Sequence, residues 1–134
     1  MNIEGLDHVS IAVPDTVAAA AFFEKAFGLK VTYTEEIPEL GVKLAFIEIG
    51  GVSIELIQPL DESSNIAKYL QKNGPGIHHI ALKVDDIASC FAQMKSAGIR
   101  LIDEVPRTGA HGKKIAFIYP DKNTGTLIEL CEKL

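Results

Sequence analysis

Residues 8–15, His-Val-Ser-Ile-Ala-Val-Pro-Asp, and residues 79–86, His-Ile-Ala-Leu-Lys-Val-Asp-Asp, carry one pattern twice: a histidine, an alternating apolar strand and an acidic turn. A repeat of this length constrains the fold more than any single motif, because each copy must form the same supersecondary unit. A helix is predicted after each copy, over residues 16–27 and 87–97, with Asp15 and Asp86 at the N-cap positions and Gly28 and Gly98 closing the C-termini. Strand-type sequence follows both helices, at residues 29–35 and 99–103. Two more strands are predicted in each half. Residues 42–49 and 52–57 flank Gly50-Gly51, a hairpin signal, and residues 114–119 and 126–131 flank a longer polar turn. Each half therefore reads βαβββ. The predicted fold class is α+β, two βαβββ modules in tandem forming one curved eight-stranded sheet around a metal-binding cleft. The 134 residues are one domain's length, with module 1 at about 5–60, an amphipathic linker helix within about 61–75 carrying Ile66, Tyr69 and Leu70, and module 2 at about 76–134.

Alternate residues of a strand point to opposite faces, so the repeat also sorts side chains. Val9, Ile11 and Val13 make one face of the first strand and leave His8 on the other. Ile80, Leu82 and Val84 do the same opposite His79. Ile54 and Leu56 flank Glu55, and Ile128 and Leu130 flank Glu129. The order His, Glu, His, Glu follows the module order, with 71 residues between the histidines and 74 between the glutamates. Near-equal spacing is what a pseudo-two-fold axis through a shared site produces. Two carboxylates brought together in a sheet-lined cleft are expensive to desolvate unless a cation pairs them, and the faces of the two glutamate strands carry no Arg or Lys. Two imidazoles and two carboxylates suit a divalent ion such as Co²⁺, Mn²⁺, Ni²⁺ or Zn²⁺, with two octahedral positions left for water or substrate oxygens. The absence of thiolate ligands argues against a structural zinc site. Cys131, on the face of Glu129, is read as a small reduced filler.

Composition excludes other classes. With 13 Lys plus Arg against 18 Asp plus Glu, the net charge is −5, which gives no broad positive field for nucleic acid or an acidic membrane. Two distant cysteines make no disulfide framework, and no run of 18 apolar residues occurs, so a cytoplasmic protein without membrane partners is expected.

The runs Asp7-His8-Val9-Ser10-Ile11-Ala12-Val13, Gly76-Ile77-His78-His79-Ile80-Ala81-Leu82 and Leu127-Ile128-Glu129-Leu130 resemble the vicinal oxygen chelate superfamily over nearly the whole chain. Within it the sequence is most similar to the methylmalonyl-CoA epimerases. The cues are His78-His79 followed by Val84-Asp85-Asp86-Ile87, the segment from Gly109-Ala110-His111-Gly112-Lys113-Lys114 to Phe117, and Pro38-Glu39-Leu40-Gly41-Val42. The resemblance implies His8, Glu55, His79 and Glu129 as metal ligands, in agreement with the strand-face argument; some epimerases carry glutamine where Glu55 stands. It implies an acyl-CoA thioester substrate, a homodimer, and epimerisation through an enolate, which needs a proton-transfer group on each side of the carbon.

Glu129 is the first of these groups by resemblance. The third-strand glutamate that serves the opposite face in some epimerases aligns with Leu44, which leaves Glu48, of the same strand parity, or Glu55 by symmetry as the second. Lys113 and Lys114 are candidate contacts to the substrate carboxylate or the coenzyme A phosphates. His111 reads as a loop histidine and His78, by parity, as a structural one. Three other activities compete. Glyoxalase I, a lactoylglutathione lyase acting on a glutathione hemithioacetal, has the same fold and ligand set. A metal-free drug-binding protein lacks that set, and an extradiol dioxygenase uses two histidines and one carboxylate with Fe²⁺.

Overall fold

The computed structural model describes residues 1–132. Its elements are β1 (Ile3–Ala12), α1 (Thr16–Phe27), β2 (Tyr33–Ile37), β3 (Val42–Ile49), β4 (Val52–Pro59), α2 (Asn65–Asn73), β5 (Gly76–Val84), α3 (Ile87–Ser96), β6 (Arg107–Thr108), β7 (Lys114–Ile118) and β8 (Leu127–Glu132). This is the α+β fold of two tandem βαβββ modules, with the linker helix between them. The chain divides into two compact units, Val9–His78 and the remainder, with boundaries inside β1 and inside β5. Met1–His8 therefore groups with the chain from His79 onward.

In the unit Val9–His78 the strands run in the order β2-β3-β4-β1. β3 and β4 form an antiparallel hairpin in register from Val42↔Pro59 to Ile49↔Val52. Gly50 and Gly51, at φ 54° and 87°, occupy its turn, where both central residues need positive φ to match strand twist. α1 starts where the Asp15 carboxylate accepts hydrogen bonds from the N–H groups of Val17 and Ala18, and ends at Gly28 in the left-handed conformation. The core of this unit is Val13, Ala45, Ile47 and Leu56, with Ile11, Ala19, Ala20, Phe23 and Ile54 packed around it.

In the other unit the order is β1-β5-β8-β7-β6, with β5 and β8 parallel and β7 and β8 antiparallel. Asp86 caps α3 by accepting from the N–H groups of Ala88 and Ser89, as its repeat partner does for α1. Val84, Ile87, Cys90, Phe91, Ala116, Ile118 and Leu130 form the core.

Three predicted elements shift. The strand expected at 29–35 begins at Tyr33, because Leu29 and Val31 turn into the core and Thr32 makes a single ladder bond, its N–H to the Phe46 carbonyl. The strand expected at 99–103 is reduced to a bridge between Leu101 and Ile118, and the paired segment is Arg107–Thr108. The Asp103 carboxylate accepts the Phe117 N–H at 2.7 Å, so a side chain takes a backbone donor of β7 that a neighbouring strand would otherwise use. The linker helix starts at Asn65 rather than near residue 61: Asp61 folds its carboxylate onto the Ser63 N–H, and Ser64 is the N-cap.

Candidate metal centre

Along β1 burial alternates, with His8, Ser10 and Ala12 buried and Val9 and Ile11 half-buried. The face with the polar side chains is thus the deeper one. On β5, His79 and Ala81 are buried, and β8 brings Glu129 into register with Ala81 on one side and Phe117 of β7 on the other. His8, His79 and Glu129 are exposed by only 4%, 2% and 4%. Unpaired polar groups at that depth are unfavourable by several kcal/mol, on the order of 2–7 in transfer experiments, so their contacts carry weight.

These three side chains converge. His8 Nε2 lies 3.3 Å from His79 Nε2, His79 Nε2 lies 3.1 Å from Glu129 Oε2, and His8 Nε2 lies 3.6 Å from Glu129 Oε1. The rings meet edge to face at 75°, with centroids 5.4 Å apart. Phe117 stands perpendicular to His79, 5.2 Å between centroids, as an apolar wall. One donor atom from each of the three residues lies within 4.8 Å of the others.

The donor set fits a divalent ion. Metal–imidazole bonds are about 2.0–2.1 Å, and two of them at an angle between octahedral and tetrahedral place their nitrogens roughly 2.8–3.4 Å apart. Burial pushes the Glu129 carboxyl up to about 7; the His8 charge pulls the other way and Asp7 adds to the rise. A carboxylate so poorly solvated is relieved by a nearby cation.

Asp7 completes the surroundings of His8. His8 Nδ1 donates to Asp7 Oδ1 at 2.8 Å, and Lys113 Nζ donates to Asp7 Oδ2 at 3.1 Å. Burial alone would raise the Asp7 carboxyl, but the bonds from His8 and Lys113 hold it well below the usual carboxylate range. With Nδ1 as the donor, a His8 ring in its neutral form carries its proton there and presents Nε2 as a lone pair, the tautomer a metal ligand requires.

The remaining predicted residues lie elsewhere. Glu55 belongs to the unit Val9–His78, buried at 5% exposure, and its Oε1 accepts from Ser10 Oγ at 2.7 Å. Glu48 is exposed near the end of β3, opposite Ser53, and Leu44 is buried in the same strand. Lys113 is bound to Asp7, whereas Lys114 is exposed at the start of β7. His111 sits in an exposed turn at φ 60°. His78 packs edge to face on Tyr69 of α2 at 4.8 Å, a structural contact as its parity predicts. Cys131 is buried, and its thiol is pushed well up by that burial, as befits an inert filler.

Sequence reasoning missed Asp7 and Ser10. Ser10 was open to detection, since it lies two residues from His8 and shares its face. Asp7 has the opposite parity, and only the bend of its side chain back to the adjacent ring reveals the contact.

Residues 7–117 match the Glyoxalase/Bleomycin resistance protein/Dioxygenase superfamily. The chain belongs to that superfamily. Its similarity there is to methylmalonyl-CoA epimerases. It is 42% identical to the human mitochondrial methylmalonyl-CoA epimerase over 96% of this chain and 74% of that one. It is 43% identical to the Cereibacter sphaeroides ethylmalonyl-CoA/methylmalonyl-CoA epimerase over 93% and 95%. Among solved structures, a methylmalonyl-CoA epimerase in complex with methylmalonyl-CoA and NH4+ superposes with a TM-score of 0.93 at 33% identity, covering 98% of this chain and 96% of that one. The Salmonella typhimurium lactoylglutathione lyase is more distant, 31% identical over 93% of this chain and 90% of that one.

Proposed function

We infer that this protein is a methylmalonyl-CoA epimerase, interconverting the R and S thioesters by removing and returning the proton on the carbon between the thioester and the carboxylate. The observation that carries the reading is the buried convergence of His8, His79 and Glu129 in a chain about 40% identical to named epimerases. The lyase reading is weaker, because that relative is the more distant one.

His8, His79 and Glu129, with Glu55 as the fourth donor proposed from the repeat, would hold a divalent ion; nitrogen and carboxylate donors suit Co²⁺, Mn²⁺, Ni²⁺ or Zn²⁺. When bound, such an ion supplies the positive charge that makes a proton alpha to a thioester more acidic. The chain's own groups do the rest. Glu129, a buried carboxylate among the proposed ligands, is the proton-transfer group proposed for one face. Asp7 keeps the His8 proton on Nδ1. Phe117 and the depth of the site exclude water that would protonate a carbanion on the wrong face. Glu48 or Glu55 serves the second face. Lys114, exposed before the strand it opens, is proposed to meet the substrate's carboxylate or phosphates.

We read residues 1–134 as one functional domain, a homodimer by analogy with the family, and cytoplasmic. Two buried free thiols suit a reducing compartment. Among the described residues no helix is long and apolar enough to cross a membrane.

The deciding assay offers metal-loaded protein methylmalonyl-CoA in deuterated water and, separately, methylglyoxal with glutathione. Deuterium entering the alpha position at the epimerisation rate is expected; turnover of the hemithioacetal alone would replace this reading by glyoxalase I. Glu48→Gln and Glu55→Gln then assign the second face, and full turnover in Glu48→Gln removes Glu48.

A further inference from the structure

We propose that Lys113 and Asp7 form a positioning relay for His8, in which the lysine ammonium anchors the carboxylate that holds the imidazole proton on Nδ1 and so presents Nε2 as the lone pair that binds a cation. The inference rests on the reading of His8 as a metal ligand. The two Asp7 oxygens are divided: Oδ1 accepts from His8 Nδ1 at 2.8 Å and Oδ2 accepts from Lys113 Nζ at 3.1 Å. One carboxylate thus bridges ring and ammonium, and rotating it to serve either partner alone breaks the other bond. The side chains of Asp7 and Lys113 are 12% and 25% exposed, which distinguishes this pair from the solvated ion pairs that contribute little.

The backbone carrying Lys113 is fixed as well. Its N–H donates to the Ala110 carbonyl at 3.2 Å, and its carbonyl accepts from the Gly109 N–H at 2.8 Å. His111 and Gly112, at φ 60° and 69°, are consecutive left-handed residues that turn the chain back toward β7. A Cβ on Gly109 would lie 2.8 Å from Ile115 Cδ1, so the turn is also closed by packing. A lysine meant to follow a mobile thioester would gain from a looser base. This one is delivered to a fixed point 106 residues away in sequence. Outer partners of metal-bound histidines orient the ring and raise its basicity, and their loss typically weakens metal binding about 10- to 100-fold.

The test uses chelator-stripped full-length protein and Co²⁺ alone. Expected is a loss of Co²⁺ affinity of about 10- to 100-fold in Asp7→Asn and roughly tenfold in Lys113→Met, with Lys113→Arg recovering most of it and the exposed Lys122→Met unchanged. In the metal-free proteins, held at a pH alkaline enough to keep the ring neutral, the ¹⁵N shifts of His8 should move from the Nδ1–H tautomer toward a mixture in Asp7→Asn and Lys113→Met, a readout that a fold defect confined to the loop would not mimic. Unchanged Co²⁺ affinity and tautomer in Lys113→Met overturns the relay. If that variant instead raises KM for methylmalonyl-CoA at unchanged Co²⁺ affinity, Lys113 is a substrate contact and the relay is again overturned. His8→Ala separates the two levels. If it retains full Co²⁺ affinity the ligand reading falls, and if it loses affinity while the relay variants do not, only the relay falls.

Discussion

Glu129 is the residue on which the proposed chemistry turns, and its setting makes a sign-definite prediction. In the metal-stripped protein the carboxyl titrates near 7 when folded, against an ordinary 4.5, because burial disfavours its charge. Between those values the folded chain holds a proton the unfolded chain has released, so stability falls as pH rises through 4.5 to 7 and levels off above. The shift corresponds to roughly 3 kcal/mol. Denaturant unfolding of stripped protein at pH 5 and pH 7.5 should show this slope, and Glu129→Gln should lack it. Asp7 works in the opposite direction and in another window: held below the ordinary carboxylate range, it contributes stability that is lost as pH drops below about 4. The four proposed ligands follow from alternation, since Val9, Ile54, Ile80 and Ile128 fix which neighbours face the other way. The Asp7 contact was not, because side-chain rotamers are chosen by what surrounds them and a strand's parity says nothing about a carboxylate that bends sideways.

At the scale of elements, caps and turns carry sequence information most directly. Asp15 and Asp86 cap α1 and α3 as the repeat predicts, and Asp86→Ala should lower stability by about 1 kcal/mol. Gly41 is more demanding. It sits at φ 68°, and a Cβ there would come within 2.9 Å of the Cβ of Ser64, the residue that caps α2. Gly41→Ala should therefore cost about 1–3 kcal/mol, more than Asp86→Ala, by displacing that cap as well as straining the backbone. Denaturation midpoints of the two variants against the parent check both the size and the order. The elements that sequence patterns misplaced are those whose partners are side chains. Nothing in residues 99–103 announces that Asp103 will occupy the Phe117 N–H and shift the paired segment to Arg107–Thr108. Burial of Leu29 and Val31 likewise depends on the core they enter.

At the scale of the molecule, each unit has its own apolar core, while His8, His79 and Glu129 lie together in one of them. Metal should consequently stabilise the folded chain by mass action. Divalent ion at about 100 times its Kd contributes about 2.7 kcal/mol, which for a chain of this length raises Tm by roughly 10 °C. Scanning calorimetry of stripped and Co²⁺-loaded protein measures this. His79→Ala should abolish the increment while leaving the stripped protein folded, and an equal increment in the variant would remove His79 from the ligand set.

The duplicated order of strand, helix and three strands follows from the sequence, because hydrophobic period and capping residues are local properties that each copy carries twice. The pairing of His8, His79 and Glu129 follows too, in kind though not in distance. What the tertiary structure decided is the second layer: the Asp7 carboxylate between His8 and Lys113, the Ser10 hydroxyl on Glu55, and the phenyl wall of Phe117. Those contacts join residues as far as 106 positions apart, and they are settled only when desolvation forces each buried polar atom to find whichever partner the packed strands place within reach.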